Sequence, residues 1–169
     1  MTEPRGILPR RTLLALLAAG ALRPTGAATP APAIRWPSIE LLDGRTLAAA
    51  DWADTGAIVV FFSTTCPYCK RHNVHVEKLH RAVGARRLRV LGISVDRDAA
   101  GVRRYMAAND YHFPVAMNQG RLRALFTTRE VVPMTCVVDR AGRLLQCLPG
   151  EMFEEDVMEL AQLAERPLA

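Results

Sequence analysis

The stretch VVFFSTTCPYCKRHNVHVEKLH, residues 59–80, places two cysteines, Cys66 and Cys69, two residues apart directly after an apolar run. The run AIVVFF, residues 57–62, is short and rich in β-branched and aromatic side chains. It therefore reads as a buried central strand rather than a helix. After the cysteines, Tyr68, Val74, Val76, Leu79 and Val83 recur at helical spacing, and Gly84 supplies a stop. Cys66 then falls at or near the helix N-cap. The first backbone N–H groups of a helix have no partners within it, and with the macrodipole they favour an anion. A thiolate at Cys66 is expected to be stabilised there, with a lowered pKa. Cys69 falls one turn further in, close enough for a disulfide and more sheltered. Pro67 suits the first turn, where its missing N–H costs nothing. Tyr68 fills the loop and can present its ring to a substrate. The arrangement fits an exposed attacking thiol and a buried resolving thiol, a redox couple that needs no further cofactor.

A metal site is the competing reading. His72 and His75 continue the spacing, so that Cys66, Cys69, His72 and His75 each lie three residues apart. At 3.6 residues per turn, each such step rotates away by about 60°. His75 would face almost opposite Cys66, whereas Cys66, Cys69 and His72 can share an ion. An exported copper or zinc chaperone using those three is the alternative function. Haem attachment is excluded, because it needs His directly after the second cysteine and Lys70 stands there.

The rest of the chain supplies a mixed α/β plan. Asp43-Gly44 marks a turn between short extended pieces. Residues 88–95 form a second buried strand and 96–110 an Asp-capped helix with Val102, Tyr105 and Met106 on one face. FPV at 113–115 is a short extended piece, and GRLRALF a short helix. MTCVVD and RLLQCL are strands joined by the turn Arg140-Ala141-Gly142, and EEDVMELAQLAE is a closing helix. Early strands separated by helices should be parallel, and the late pair antiparallel.

Charge adds little about partners. Of the 169 residues, 22 are Lys or Arg and 17 Asp or Glu, a net +5. Four of those basic residues and one acidic residue precede residue 34, so the remainder carries 18 against 16. No nucleic-acid partner is implied. The cluster Arg86, Arg87 and Arg89 reads as a solvated helix end. Residues 1–33 have the parts of an export signal and linker. Arg10 and Arg11 precede the apolar TLLALLAAGAL, with small residues after it at Thr25-Gly26-Ala27 and Ala31-Pro32-Ala33. PRRTLL also looks like a twin-arginine signal. Eleven apolar residues are too few to span a bilayer as a typical helix, so cleavage is preferred over an anchor. The expected domains are residues 1–33 as signal and linker and 34–169 as the folded unit. The expected location is periplasmic or otherwise extracytoplasmic, where disulfides persist.

Taken together, residues 36–163 resemble the thioredoxin fold, and more narrowly the exported TlpA/ResA-like thiol–disulfide oxidoreductases. LLDGRTL resembles that group's opening hairpin and VVFFSTTCPYCK its strand and active-site turn. LGISVDRD and FPV resemble its inserted strand–helix segment, and VVPMTCVVDRAGRLL its proline loop, next strand and turn. The resemblance implies a central mixed β-sheet flanked by helices, with an N-terminal hairpin. It implies a cis bond at Val132-Pro133 facing the cysteines, with the Val132 backbone beside it able to pair with an extended substrate. It also implies disulfide-containing protein substrates, a membrane-bound thiol reductant as donor and a reductive direction, with apocytochrome c or a copper-site assembly protein as substrate; a monomer is expected. Departures are Thr65 where an aromatic is frequent, Pro67-Tyr68 as in glutaredoxins, and Val60 where thioredoxin has a buried aspartate. His72 stands where the ResA-like group has glutamate. It is expected either to handle the Cys69 proton, titrating near neutrality, or to decorate the helix surface. Cys136 and Cys147 lie on the two late strands, opposite or one residue out of register. They are expected as buried free thiols, with a second disulfide as the alternative.

Overall fold

The structure, a computed structural model, describes residues 32–83, 88–118 and 121–166. The signal, its cleavage sites, the Gly84 stop and Arg86-Arg87 lie outside the described residues, except that Pro32 and Ala33 are included. Two short strands, β1 (Ile39–Glu40) and β2 (Thr46–Leu47), form the opening hairpin around Gly44, whose φ of +86° suits the turn. The remaining strands are β3 (Gly56–Phe62), β4 (Leu88–Ser94), β5 (Val115–Met117), β6 (Met134–Val138) and β7 (Leu144–Pro149). They make one sheet in the order β5-β4-β3-β6-β7. β3, β4 and β5 run parallel, while β6 is antiparallel to both β3 and β7. The helices are α1 (Pro67–Val83), α2 (Ala99–Ala108), α3 (Arg121–Ala124) and α4 (Glu154–Ala164). Among the described residues no helix is long and apolar enough to cross a membrane.

β3 is apolar throughout because both of its faces are covered. Ile58, Val60 and Phe62 pack with Cys69, Val76 and Leu79 of α1 and Val157 and Leu160 of α4. Ala57, Val59 and Phe61 pack with Trp52, Leu122, Phe126 and Cys136 on the other face. The buried stripe of α1 runs through Cys69, His72, Asn73, Val76, Leu79 and Val83. Tyr68 and Val74, expected on that stripe, are exposed instead. The inserted segment is fastened to α1 by Glu77. Its buried carboxylate accepts the backbone N–H groups of His112 (2.7 Å) and Phe113 (3.0 Å) and the Arg81 guanidinium (2.7 Å). Burial would raise the Glu77 pKa, but these donors hold it below its ordinary value. Asp98 caps α2 by accepting the Ala100 N–H at 2.9 Å, leaving Asp96 free for another task. β5 begins at Val115, after Phe113 and Pro114.

Gly92 is where β4 allows the closest approach. A Cβ there would lie 2.7 Å from Phe113 Cε2 and 3.1 Å from Phe62 Cε1, both in buried rings. Gly92→Ala is therefore expected to cost about 1–3 kcal/mol through overpacking, read as a lower denaturation midpoint with an unchanged slope.

The expectation of free thiols at Cys136 and Cys147 is overturned, since the two are joined in a disulfide with Cα atoms 4.1 Å apart. The cause is a bulge. Val138 faces Leu144 and Val137 faces Gln146, so Leu145 is the extra residue. That one-residue shift brings Cys147 directly opposite Cys136. A regular ladder would set Cys136 against Gln146 and turn Cys147 to the other face.

Candidate active site

Parallel β3 and β4 end at the same edge of the sheet, and the cysteine pair sits there. Cys66 is the N-cap of α1, its carbonyl accepting the Lys70 N–H at 3.1 Å. The Cys69 N–H points at Cys66 Sγ, 3.2 Å away, which is the donor a thiolate at that position requires. Both are free thiols here, Cys66 half-buried and Cys69 fully buried. Burial first, and then the hydrogen bond with Cys66, push the Cys69 thiol up to about 12. The two thiols are thus unequal in access. Beneath them Val60 is buried in an apolar cluster, so no carboxylate on β3 can take the Cys69 proton.

The Val132–Pro133 peptide bond is cis. It immediately precedes β6, and the Val132 carbonyl oxygen lies 3.9 Å from Cys66 Sγ. Pro67 opens α1, and Tyr68 stands 58 % exposed beside the cysteines with the Arg71 guanidinium 4.9 Å from its ring centroid. Arg71 in turn makes a two-pronged pair with Glu151, at 2.7 Å from both Nε and Nη2. Cys66, Cys69, Pro67, Tyr68, Val132 and Pro133 are therefore brought together.

His72 is placed differently from both sequence expectations. It is fully buried. Its Nδ1 accepts the Met152 backbone N–H at 3.2 Å, so Nε2 carries the ring proton and donates to Thr135 Oγ1 at 2.9 Å. Burial lowers its pKa to about 4. The burial corrects the expectation of a surface residue, and the same burial moves the ring's titration below neutrality. The ring is a neutral cross-brace joining α1, β6 and the loop before α4. Because both ring nitrogens are engaged, His72 has no lone pair free for an ion. Among the described residues no group of three or more His, Cys, Asp or Glu is placed to hold a metal. His75 lies elsewhere, with Nδ1 3.8 Å from a Glu154 carboxylate oxygen.

Asp96 is a site residue that the sequence reading missed. Its carboxylate accepts the Ser63 hydroxyl (2.7 Å), the Thr64 N–H (2.8 Å) and the Ser94 hydroxyl (2.9 Å). It thereby fixes the turn that delivers Cys66 to the helix. Burial would raise its pKa, but these donors hold it below the ordinary carboxylate value. The signal available was its position at the carboxyl end of a parallel strand next to β3, where functional side chains collect. Asp96→Ala is expected to cost roughly 1–3 kcal/mol, the scale of losing charge-assisted bonds to half-buried groups, measured by chemical denaturation.

A Cys-x-x-C at a helix N-terminus, beside a cis-proline at the edge of a five-stranded mixed sheet, defines a thioredoxin-like protein. The AhpC/TSA family pattern matches residues 28–146, and the chain belongs to that family. It is 22% identical over 120 residues to the thiol-disulfide oxidoreductase ResA of Bacillus thuringiensis, covering 70% of this chain and 68% of that one. It is likewise 22% identical over 125 residues to ResA of Halalkalibacterium halodurans, covering 74% and 71%. Among solved structures, a thioredoxin-family thiol:disulfide interchange protein from Chlorobium tepidum superposes with a TM-score of 0.76 at 24% identity. That match covers 82% of this chain and 99% of that one. StoA from Bacillus subtilis gives 0.66 at 17% identity, covering 76% and 98%. The thioredoxin-like fold and the resemblance to the ResA-like group both stand.

Proposed function

We propose that this protein is an extracytoplasmic thiol–disulfide oxidoreductase of the ResA kind that reduces disulfides in protein substrates. The observation carrying this reading is the inequality of the two thiols beside the cis-proline. Cys66 is accessible at the helix N-cap, with its sulfur next to the Val132 carbonyl, and Cys69 is buried behind it. The substrate backbone pairs beside Val132 and Pro133. The Cys66 thiolate attacks a substrate sulfur, forming a mixed disulfide and expelling the other substrate sulfur as a thiolate that takes up a proton. Cys69, giving up its proton, then attacks Cys66 Sγ, which breaks the bond to the substrate and expels the second substrate sulfur as a thiolate that takes up a proton. Two electrons pass to the substrate, and the Cys66–Cys69 disulfide is the oxidised product. A membrane-bound thiol reductant resets it. The couple itself is the only cofactor, the enzyme works as a monomer, and residues 1–33 serve as signal and linker. Apocytochrome c or a copper-site assembly protein is the substrate type that the resemblance favours.

The test is reduction of insulin, followed by precipitation of its freed B chain, with a dithiol as electron source. Turnover above the dithiol background is expected. Faster disulfide formation in a reduced protein than reduction of an oxidised one would reverse the assigned direction. Because burial, the largest cause, raises the Cys69 thiol above its ordinary value, the resolving step should accelerate about tenfold per pH unit between roughly pH 7 and 9. Rapid-quench measurement of mixed-disulfide decay reads this slope, and a flat profile would contradict the buried-thiol account.

A further inference from the structure

The Cys136–Cys147 disulfide lies on the sheet face opposite the active-site pair. Cys136 packs with Val59 and Phe61, whereas Cys69 packs with Val60 and Phe62. The sheet separates the two couples, so they cannot exchange directly. The two sulfurs are also unequal in access, Cys136 being fully buried and Cys147 only half-buried. Cys147 Sγ sits 3.6 Å from the Phe126 carbonyl oxygen. That oxygen is an acceptor waiting for a thiol proton, while Cys136 would rest as a buried thiol among apolar side chains. Both sulfurs thus have a place in the reduced state as well as in the oxidised one.

The disulfide is also joined to the active site through the ladder. From Cys136↔Cys147 the pairing continues through Thr135↔Leu148 and Met134↔Pro149. It ends where the Gly150 N–H donates to the Pro133 carbonyl at 2.8 Å. The next two residues, Glu151 and Met152, hold α1 through Arg71 and His72. Thr135, one step from the disulfide, accepts the other His72 bond. The covalent link therefore sits at the root of the hairpin end that aligns the proline loop with the cysteine helix.

We propose that Cys136–Cys147 is a second thiol–disulfide exchange site, opened by a dithiol attacking Cys147, and that its state sets how firmly the Pro133 loop is held against α1. In the first step a reductant thiolate bonds to Cys147 Sγ, and the Cys147–Cys136 bond breaks with the electron pair and a proton going to Cys136. The second reductant thiol then attacks its partner sulfur and releases Cys147 as a thiol. The protein gains two electrons and two protons, and the dithiol becomes a disulfide. The second half of the proposal, on substrate binding, rests on the oxidoreductase reading above; the first half does not.

Exchange is tested in the full chain carrying Cys66→Ser and Cys69→Ser, equilibrated across ratios of reduced to oxidised dithiothreitol. Free thiols are trapped and counted by mass, with circular dichroism as the monitor of folding. Two thiols should appear together while the folded signal persists, and brief exposure to glutathione should leave its adduct on Cys147. Thiols that appear only as the fold is lost, or an adduct on Cys136, would overturn the site. Coupling is tested with Cys136→Ala/Cys147→Ala in the otherwise native chain. KM for insulin should rise about 3- to 10-fold, as expected when ordering of a binding loop is loosened, while kcat/KM for dithiobis(nitrobenzoate) stays within about twofold. Equal changes for both substrates, or none, would overturn the coupling. A native chain that turns over neither substrate would instead defeat the oxidoreductase reading and leave the exchange result standing.

Discussion

Cys69→Ser is expected to convert the protein from a turnover catalyst into a covalent trap. Cys66 keeps its place at the N-cap beside Val132, so the first attack proceeds. The buried thiol that would release the substrate is gone, and serine cannot replace it as a nucleophile toward sulfur. The mixed disulfide should accumulate, visible as a non-reducing gel band or an intact mass equal to enzyme plus substrate. Multiple turnover should fall by about three orders of magnitude or more, the scale seen when one member of a nucleophilic unit is removed. Cys66→Ser should give the same loss without any adduct. An adduct through Cys69 instead of Cys66 would invert the assigned roles.

The second large effect concerns acid stability. His72 is held neutral, with its pKa lowered by burial from 6.5 to about 4. In the unfolded chain the ring takes up a proton near its ordinary value, while the folded protein resists until near pH 4. The stabilisation linked to this group is therefore fully present above about pH 6.5 and is lost as pH falls toward 4. The shift corresponds to roughly 3 kcal/mol across that window. Protonation would put a second N–H against the Met152 N–H, breaking the brace that joins α1 to the loop before α4. His72→Gln keeps a donor and an acceptor but does not titrate. Urea denaturation at pH 7 and pH 4.5 should show wild type losing about 2 kcal/mol or more relative to His72→Gln. Parallel losses in the two proteins would mean that His72 is not the group responsible.

The strands and main helices were legible in the sequence because their patterns have one dominant cause. β3 reads as buried because both faces are covered, and α1 and α4 follow from helical periodicity next to turn residues. The cysteine pair was legible because Cys-x-x-C after a buried strand has few other uses. Three features depended on packing that no local pattern displays. The register of the β6–β7 hairpin turned on a single bulged residue, Leu145, and that alone decided whether Cys136 and Cys147 could meet. The face of α1 turned toward the sheet runs through Cys69, His72 and Val76, and for the polar His72 within that stripe the local pattern offers a proton-handling role or a surface position but not a buried one. The partners that neutralise its burial, Thr135 and Met152, lie 63 and 80 residues away in sequence. Asp96 was absorbed into the α2 cap because Asp98 offers the same local signal two residues later.

Cys66 and Cys69 should act as one two-electron couple. This is tested most directly by equilibrating the protein in graded dithiol–disulfide buffers, trapping free thiols and locating them by peptide mass. Cys66 and Cys69 are expected to gain and lose their thiols together in a single transition, nearer the value of about −270 mV of thioredoxin than the value of about −120 mV of DsbA. Independent titration of the two sulfurs, or no transition at all in the folded protein, would contradict it.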